Sequence, residues 1–392
     1  LRSSLGIRGA KYFGSLRALV GIFIFGIQTY FLSKSFSYLF RIFLFSIDPS
    51  LLEKDIFLTF LFGLNIIDWV SIILVIIFQT FLFSMGMIFN KKLIQFSAIT
   101  VYSGMLLFFF SVLLSDVRSS FEAFVNLLDY ENFINTTNLA PLITVAGTVF
   151  AFFSIIILSF GDFSRYVKNE NELKKGNLSL ILNLIIFSFL ALFIVTGVDE
   201  FLKQDSENLK TIFTNPNDII GKLDNLLITT LVLIFIIIAS ASTNLLANFI
   251  PSQYSLINLI PSSLSLKSSS IIISICGFLI GIFWLTYLSQ IGILSFIDTF
   301  GAFFGPLFGL IISDFYFVKK INLINKDIYS LERDGTYYYT GGWHIKGIYS
   351  LILGFIFSAS TIWNSNMMHL QSFSWIIGAI FTGFVYYLLA RK

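Results

Sequence analysis

Long runs of hydrocarbon side chains alternate with short polar stretches along all 392 residues, and the runs exceed the length of strands and of ordinary core helices. A bilayer core is crossed by roughly 20 apolar residues in a helix. A window of that length predicts about ten spans, near 19–40, 68–88, 93–115, 141–161, 178–198, 227–249, 269–288, 291–318, 346–363 and 373–390. The stretch 51–66 is apolar but short, with Glu53, Lys54 and Asp55 at its start, so it reads as an interfacial or re-entrant segment. One span breaks its own pattern: Ser242-Thr243-Asn244-Leu245-Leu246-Ala247-Asn248 places hydroxyls and carboxamides inside hydrocarbon. In lipid such groups face a cavity, another helix or a bound ion, because no water is present to bond them. Asn244 and Asn248 are four apart and so share a helix face. Bonding between packed helices explains such a group, and so does a substrate and cation site.

Composition agrees with a polytopic all-α membrane protein, a single domain over 1–392. Apolar residues make up 56% and charged residues 12%, with 48 phenylalanines, against a usual charged share of about 25%. Cys276 alone makes no disulfide, and His344 and His369 are too few for a zinc site. The net charge of +3 is less informative than its distribution. Lysine and arginine gather in alternate connections: Arg2, Arg8, Lys11 and Arg17; Lys91 and Lys92; Arg165 to Lys175; Lys267; Lys319 to Lys346; Arg391 and Lys392. The opposite connections are mainly acidic, with Asp116 to Glu131 in one and Asp199 to Asp224 in another; Arg41, Lys203, Lys210 and Lys222 are exceptions. Basic loops face the cytoplasm, so both chain ends are expected there, in a multi-pass protein of the cell's inner (plasma) membrane. The expected surroundings are a lipid bilayer and no nucleic acid. Oligomeric state stays open, since lipid-facing and partner-facing aliphatics look alike.

Several segments then stand in a distinctive order: Gly6-Ile7-Arg8-Gly9, Phe25-Gly26-Ile27-Gln28-Thr29, Gly161-Asp162-Phe163-Ser164-Arg165-Tyr166, Ser242 to Asn248, Gly305-Pro306-Leu307-Phe308-Gly309, Ser313-Asp314-Phe315-Tyr316 and Tyr339-Thr340-Gly341-Gly342-Trp343. On these the chain resembles the nucleobase:cation symporter-1 family, permeases for cytosine, purines, uracil, thiamine, allantoin and hydantoins. The resemblance implies a leucine-transporter-type inverted-repeat fold. It also implies two further helices before residue 2, so that the chain is expected to be N-terminally incomplete, with about ten of twelve helices.

The resemblance carries roles onto particular positions. The residues matching Gln28 and Asn248 contact substrate, and the one matching Asn244 lines the same region; a carboxamide can give one hydrogen bond and take another. Phe153 falls where the family has an aromatic that stacks on the flat substrate. Ile24 falls where relatives have a tryptophan, so one face of the ring would meet an aliphatic chain. Ser242 and Thr243 match hydroxyls that bind sodium, and Ala239 a residue that offers its carbonyl; such oxygens suit a hard cation, but the hydroxyls could instead bond carbonyls one turn earlier. Asp298 is an acid within a span, a candidate for coupling or gating, or a paired structural acid. Asp162 and Arg165 end the helix before them and are expected to gate or anchor. The expected function is secondary active symport of a nucleobase-like heterocycle with sodium or protons by alternating access. A different small cargo on the same fold is the alternative. A channel would need a continuous polar lining, and an enzyme would need an acid–base pair, a metal set or a nucleophile motif; neither pattern is present. No cofactor is expected beyond a coupling ion.

Overall fold

Hydrocarbon runs become helices because only a helix satisfies every backbone group within its own segment in lipid. The computed structural model describes residues 1–115, 117–127, 136–205, 226–291, 293–330 and 332–391. Its principal helices are α1 (Arg2–Ile47), α2 (Ile66–Phe83), α3 (Met87–Ser115), α4 (Val117–Leu127), α5 (Thr136–Leu158), α6 (Glu170–Asp205), α7 (Leu226–Thr243), α8 (Ile250–Leu259), α9 (Leu266–Phe283), α10 (Ile293–Ile312), α11 (Ile345–Trp363) and α12 (Ser374–Ala390). Among the described residues nine segments are long and apolar enough to cross a membrane, and α5 holds a shorter apolar stretch, Thr144–Leu158. The protein is a multi-pass membrane protein.

Two elements depart from the sequence expectation. The span expected to end at 249 runs on to Leu259, through Pro251. A proline lacks its N–H and clashes with the carbonyl four residues back; here the helix has widened just before it, in a π turn over Asn244–Phe249 where Ile250 N–H bonds Leu245 O, five back. Helix α4 occupies the acidic connection after α3, while the acidic residues 128–135 and 206–225 lie outside the described residues. The 51–66 stretch does not cross. It forms a 3₁₀ turn (Pro49–Glu53), one helical turn (Asp55–Leu58) and a hairpin of β1 (Phe60–Leu61) with β2 (Leu64–Asn65), closed by Phe62 and Gly63 at φ 52° and 75°.

Packing divides the helices into three groups. α1, α2, α8, α9 and the π turn share a core around Ile22, Phe25, Phe83, Leu245, Phe249 and Ile273. α5, α10, α11 and α12 share another, with Ala151, Ile155, Phe304, Leu351 and Trp375, which α1 joins through Val20. α3, α4 and α6 meet at Val112, Phe124, Phe193 and Ile194, and α3 also lies along α7. Glycines set the closest approaches. A Cβ on Gly26 would stand 2.7 Å from Gly277 O on α9, and one on Gly305 or Gly309 would run into the backbone of Trp375 or Ala379 on α12.

The basic end of the bundle is tied by a buried polar knot. Gly6 interrupts α1 at φ 78°, ψ 176°, a conformation that side-chain-bearing residues rarely adopt. There Arg8 N–H bonds Gly342 O at 2.9 Å, and His344 N–H bonds Leu5 O at 2.9 Å. The landmark segments Gly6 to Gly9 and Tyr339 to Trp343 are thus neighbours in space. Asp314, 0% exposed, accepts from Ser4 (2.8 Å), Ser3 (3.4 Å), Lys319 (2.6 Å) and Tyr386 (2.6 Å), which matches the roughly four acceptor positions of a carboxylate. At the opposite end Asp68 accepts from Lys34 (2.9 Å) and Ser37 (2.7 Å) and lies 3.6 Å from Arg41. Arg41, a basic residue on the acidic side, is therefore paired with a buried acid.

Candidate functional site

The π turn is where the polar residues of the seventh and eighth helices gather, and a chain of amides runs from it into α1 and α2. Asn244 is fully buried and Asn248 3% exposed. Asn244 Nδ2 donates to Phe25 O (3.2 Å) and to Thr29 Oγ1 (3.1 Å). Both its protons are thereby committed, so its Oδ1 faces Asn248, whose Nδ2 donates to it at 2.9 Å. The second proton of Asn248 Nδ2 goes to Gln28 Oε1 at 2.6 Å. The Thr29 hydroxyl donates to Phe25 O at 2.8 Å and stands 3.0 Å from Gln79 Oε1 on α2. Every bond in this chain has a direction, and the direction leaves Asn248 Oδ1 and Gln28 Nε2 without a partner among the described residues. Gln28 is only half-buried. One free acceptor and one free donor thus stand side by side in hydrocarbon.

One turn along α7, Ser242 Oγ and Thr243 Oγ1 both donate to Ala239 O, at 3.0 and 2.9 Å. Three neutral oxygens are brought together, and the hydroxyl protons point at the carbonyl rather than outward. Turning both hydroxyls would present all three oxygens to a cation, a donor set suited to sodium. Ile24 lies one turn before Gln28 and packs, half-buried, against the α5–α10–α12 core. Phe153 meets the Phe152 ring edge-on at 5.5 Å.

The remaining sequence-selected residues lie along α5, Asp162 and Arg165 just beyond its C-terminal end and Asp298 of α10 against its middle. Asp162 pairs with Arg17 of α1 at 3.2 Å, and the same guanidinium bonds Ser255 Oγ of α8 (2.6 Å) and Leu158 O (3.1 Å). Arg165 lies over the Tyr254 ring at 4.1 Å, and the Tyr254 and Tyr166 hydroxyls are 2.7 Å apart. Asp298, 2% exposed, accepts from Thr148 of α5 (3.1 Å) and Gln371 (3.1 Å). Its partners are neutral, so it is not one half of an ion pair among the described residues.

The family profile described as permease for cytosine/purines, uracil, thiamine and allantoin matches residues 1–378. The chain belongs to this permease family. It is 24% identical over 403 aligned positions to a purine-uracil permease of Arabidopsis thaliana, covering 100% of this chain and 64% of that protein. It is 25% identical to a putative allantoin permease of Escherichia coli, covering 100% of this chain and 78% of the relative. An allantoin permease of Bacillus subtilis matches 62% of this chain at 24% identity and is itself covered to 48%. The chain therefore spans less than two thirds of the length of the plant relative. Among solved structures the nucleobase-cation-symport-1 transporter Mhp1, closed with bromovinylhydantoin bound, superposes with a TM-score of 0.69 at 17% identity, covering 99% of this chain and 77% of Mhp1. An inward-facing form of Mhp1 gives 0.66. The fold is the leucine-transporter type, and the relatives are permeases rather than enzymes.

Within that family frame, the structure unites Gln28, Asn244 and Asn248, and separately Ala239, Ser242 and Thr243. Residues that sequence reasoning missed are Thr29 and Gln79, Ser255 and Tyr254, and the role of Arg17 as a partner rather than a topology charge. Thr29 and Gln79 carried a signal only as polar residues within apolar spans.

Proposed function

We propose that this protein is a secondary carrier for a small planar heterocycle bearing a lactam or ureide edge, coupled to a cation and working by alternating access. The observation that carries this reading is the free pair at the amide chain. Gln28 Nε2 can donate and Asn248 Oδ1 can accept, which complements a ring carbonyl next to a ring N–H. Such an edge is common to uracil, allantoin and hydantoin. The Ala239–Ser242–Thr243 oxygens favour sodium as the coupling ion. Asp298, bonded to Thr148 in the middle of α5, and the Arg17–Asp162 pair beyond its C-terminal end suit a gating role. The charge distribution favours the plasma membrane, with both ends of the chain cytoplasmic.

Ile24 favours a variation on this reading. With an aliphatic side chain where the family resemblance implies an indole, stacking is weakened on one face, and a less flat molecule such as allantoin, whose ureido group leaves the ring plane, would suffer least.

The test is uptake of labelled uracil, cytosine, allantoin and hydantoin into proteoliposomes under imposed sodium or proton gradients. Accumulation of one compound with counterflow exchange supports a carrier. Folded protein that accumulates none of them overturns it; dissipation without exchange points to a channel, and chemical conversion to an enzyme.

A further inference from the structure

The amide chain does not end at the residues that would meet a substrate. It continues through Thr29, 0% exposed, to Gln79, 1% exposed, on α2. Two fully buried polar side chains in lipid-spanning helices need a reason, and neither has an outlet to the free donor and acceptor except through Asn244.

The chemistry of the Thr29 hydroxyl shows what they do. It has one proton and two acceptor positions. Phe25 O at 2.8 Å takes the proton, and Asn244 Nδ2 donates to the oxygen at 3.1 Å. The Gln79 amide stands 3.0 Å away, and with its oxygen toward Thr29 it would compete for the same proton while its Nε2 stays buried without a partner. Oxygen and nitrogen of an amide are told apart by their bonds. With the nitrogen toward Thr29, the hydroxyl donates once and accepts twice, and only a lone acceptor is left unpaired. That arrangement leaves Thr29 Oγ1 no proton for Asn244, so Asn244 must present its Nδ2 there and its Oδ1 to Asn248.

We propose that Thr29 and Gln79 are positioning residues for the substrate pair: together they fix the orientation of the Asn244 amide and, through it, which atoms Gln28 and Asn248 present as donor and acceptor. This rests on the function proposed above. Without the Thr29 hydroxyl, Asn244 is held by Phe25 O alone, one of its Nδ2 protons loses its acceptor, and the Asn244, Asn248 and Gln28 amides are less firmly oriented. The bound ring then meets a looser donor and acceptor pair.

The experiment measures uptake of labelled uracil and allantoin by the wild type, Thr29→Val, Thr29→Ser and Gln79→Leu in proteoliposomes, with the melting temperature of each unliganded protein. Thr29→Val is expected to raise the half-saturation concentration about tenfold and Gln79→Leu about threefold, the scale of one hydrogen bond. The maximal rate per folded protein should stay near wild type, the stranded amides should lower the melting temperature of Thr29→Val somewhat, and Thr29→Ser, which restores the hydroxyl, should restore the half-saturation value. A purely structural role would lower melting temperature and folded yield and leave half-saturation unchanged. If Thr29→Val does not fold, Gln79→Leu decides. Wild-type half-saturation in both Thr29→Val and Gln79→Leu overturns the relay while the carrier function stands. A folded wild type that takes up neither compound, nor cytosine or hydantoin, overturns the function and the relay with it.

Discussion

Arg17 on α1 reaches Asp162, in the turn after α5, at 3.2 Å, with the two side chains only 11% and 15% exposed. Because the same guanidinium bonds Ser255 Oγ and Leu158 O, one residue joins α1, α8 and the end of α5. Removing one partner of a buried pair strands the other charge. Asp162→Asn is expected to cost about 3 kcal/mol of stability, and adding Arg17→Gln should recover part of that loss. A thermal unfolding cycle over the four proteins measures the coupling; strictly additive losses would mean that the two charges do not act on each other.

Asn248 donates to both Gln28 and Asn244, so its loss removes the acceptor offered to substrate and frees both neighbours. Asn248→Ala is expected to weaken binding of the transported compound by about a hundredfold, roughly 3 kcal/mol, while the protein still inserts and folds. Equilibrium binding to purified protein is the check. Unchanged affinity would remove Asn248 from the site.

Most helices were legible because they are runs of hydrocarbon long enough to cross, whereas α4, only 11 residues from Val117 to Leu127, was not, because it is too short to span. The end of α8 was not, because the hydrocarbon window closes at 249, and the π turn before Pro251 carries the helix on to Leu259. Asn244 and Asn248 were legible from a spacing of four on a helix and from being polar in lipid. The connection from Asn244 through Thr29 to Gln79 was not, since it joins three spans and Gln79 is 50 residues from Thr29 in the chain. Arg41 broke the charge pattern for a local reason, the buried carboxylate of Asp68 beside it.

Gly309 lies where α10 and α12 touch backbone to backbone, against Ala379. A side chain there has nowhere to go without separating the helices. Gly309→Val is expected to abolish folded protein, judged by size-exclusion profile after extraction, whereas Gly14→Ala, with open space around its position, should leave that profile unchanged. A monodisperse Gly309→Val protein would show that the contact can relax.

His344 precedes α11, donates from Nδ1 to Ser4 O at 2.8 Å and stacks on Tyr339 at 4.1 Å. Burial holds its imidazole below the ordinary value of 6.5. Below that value the unfolded chain takes up a proton that the folded chain resists, so stability falls as pH falls through the region below 6.5. Melting temperature should drop between pH 7 and 5 more steeply in the wild type than in His344→Gln. Parallel curves would mean that other groups set the acid limit.

Ser242 and Thr243 bring their hydroxyls to Ala239 O. If these oxygens hold sodium, Thr243→Val and Ser242→Ala should each raise the sodium concentration for half-maximal uptake by about tenfold or more, with less effect on substrate affinity at saturating sodium. Uptake indifferent to sodium in the wild type would reject the site and leave protons as the coupling ion.

The carboxylate of Asp314 receives hydrogen bonds from Ser4, near the start of the chain, and from Tyr386, in the last helix. During synthesis at roughly 5–20 residues per second, Ser4 emerges on the order of 20–80 s before Tyr386. Throughout that interval a buried acid and the adjacent Lys319 have only part of their final surroundings. The joint therefore closes only after α12 has been made: a ribosome that stalls before Tyr386 leaves the preceding helices already threaded through the membrane with Asp314 bonded to Ser4 and Lys319 but lacking its tyrosine partner.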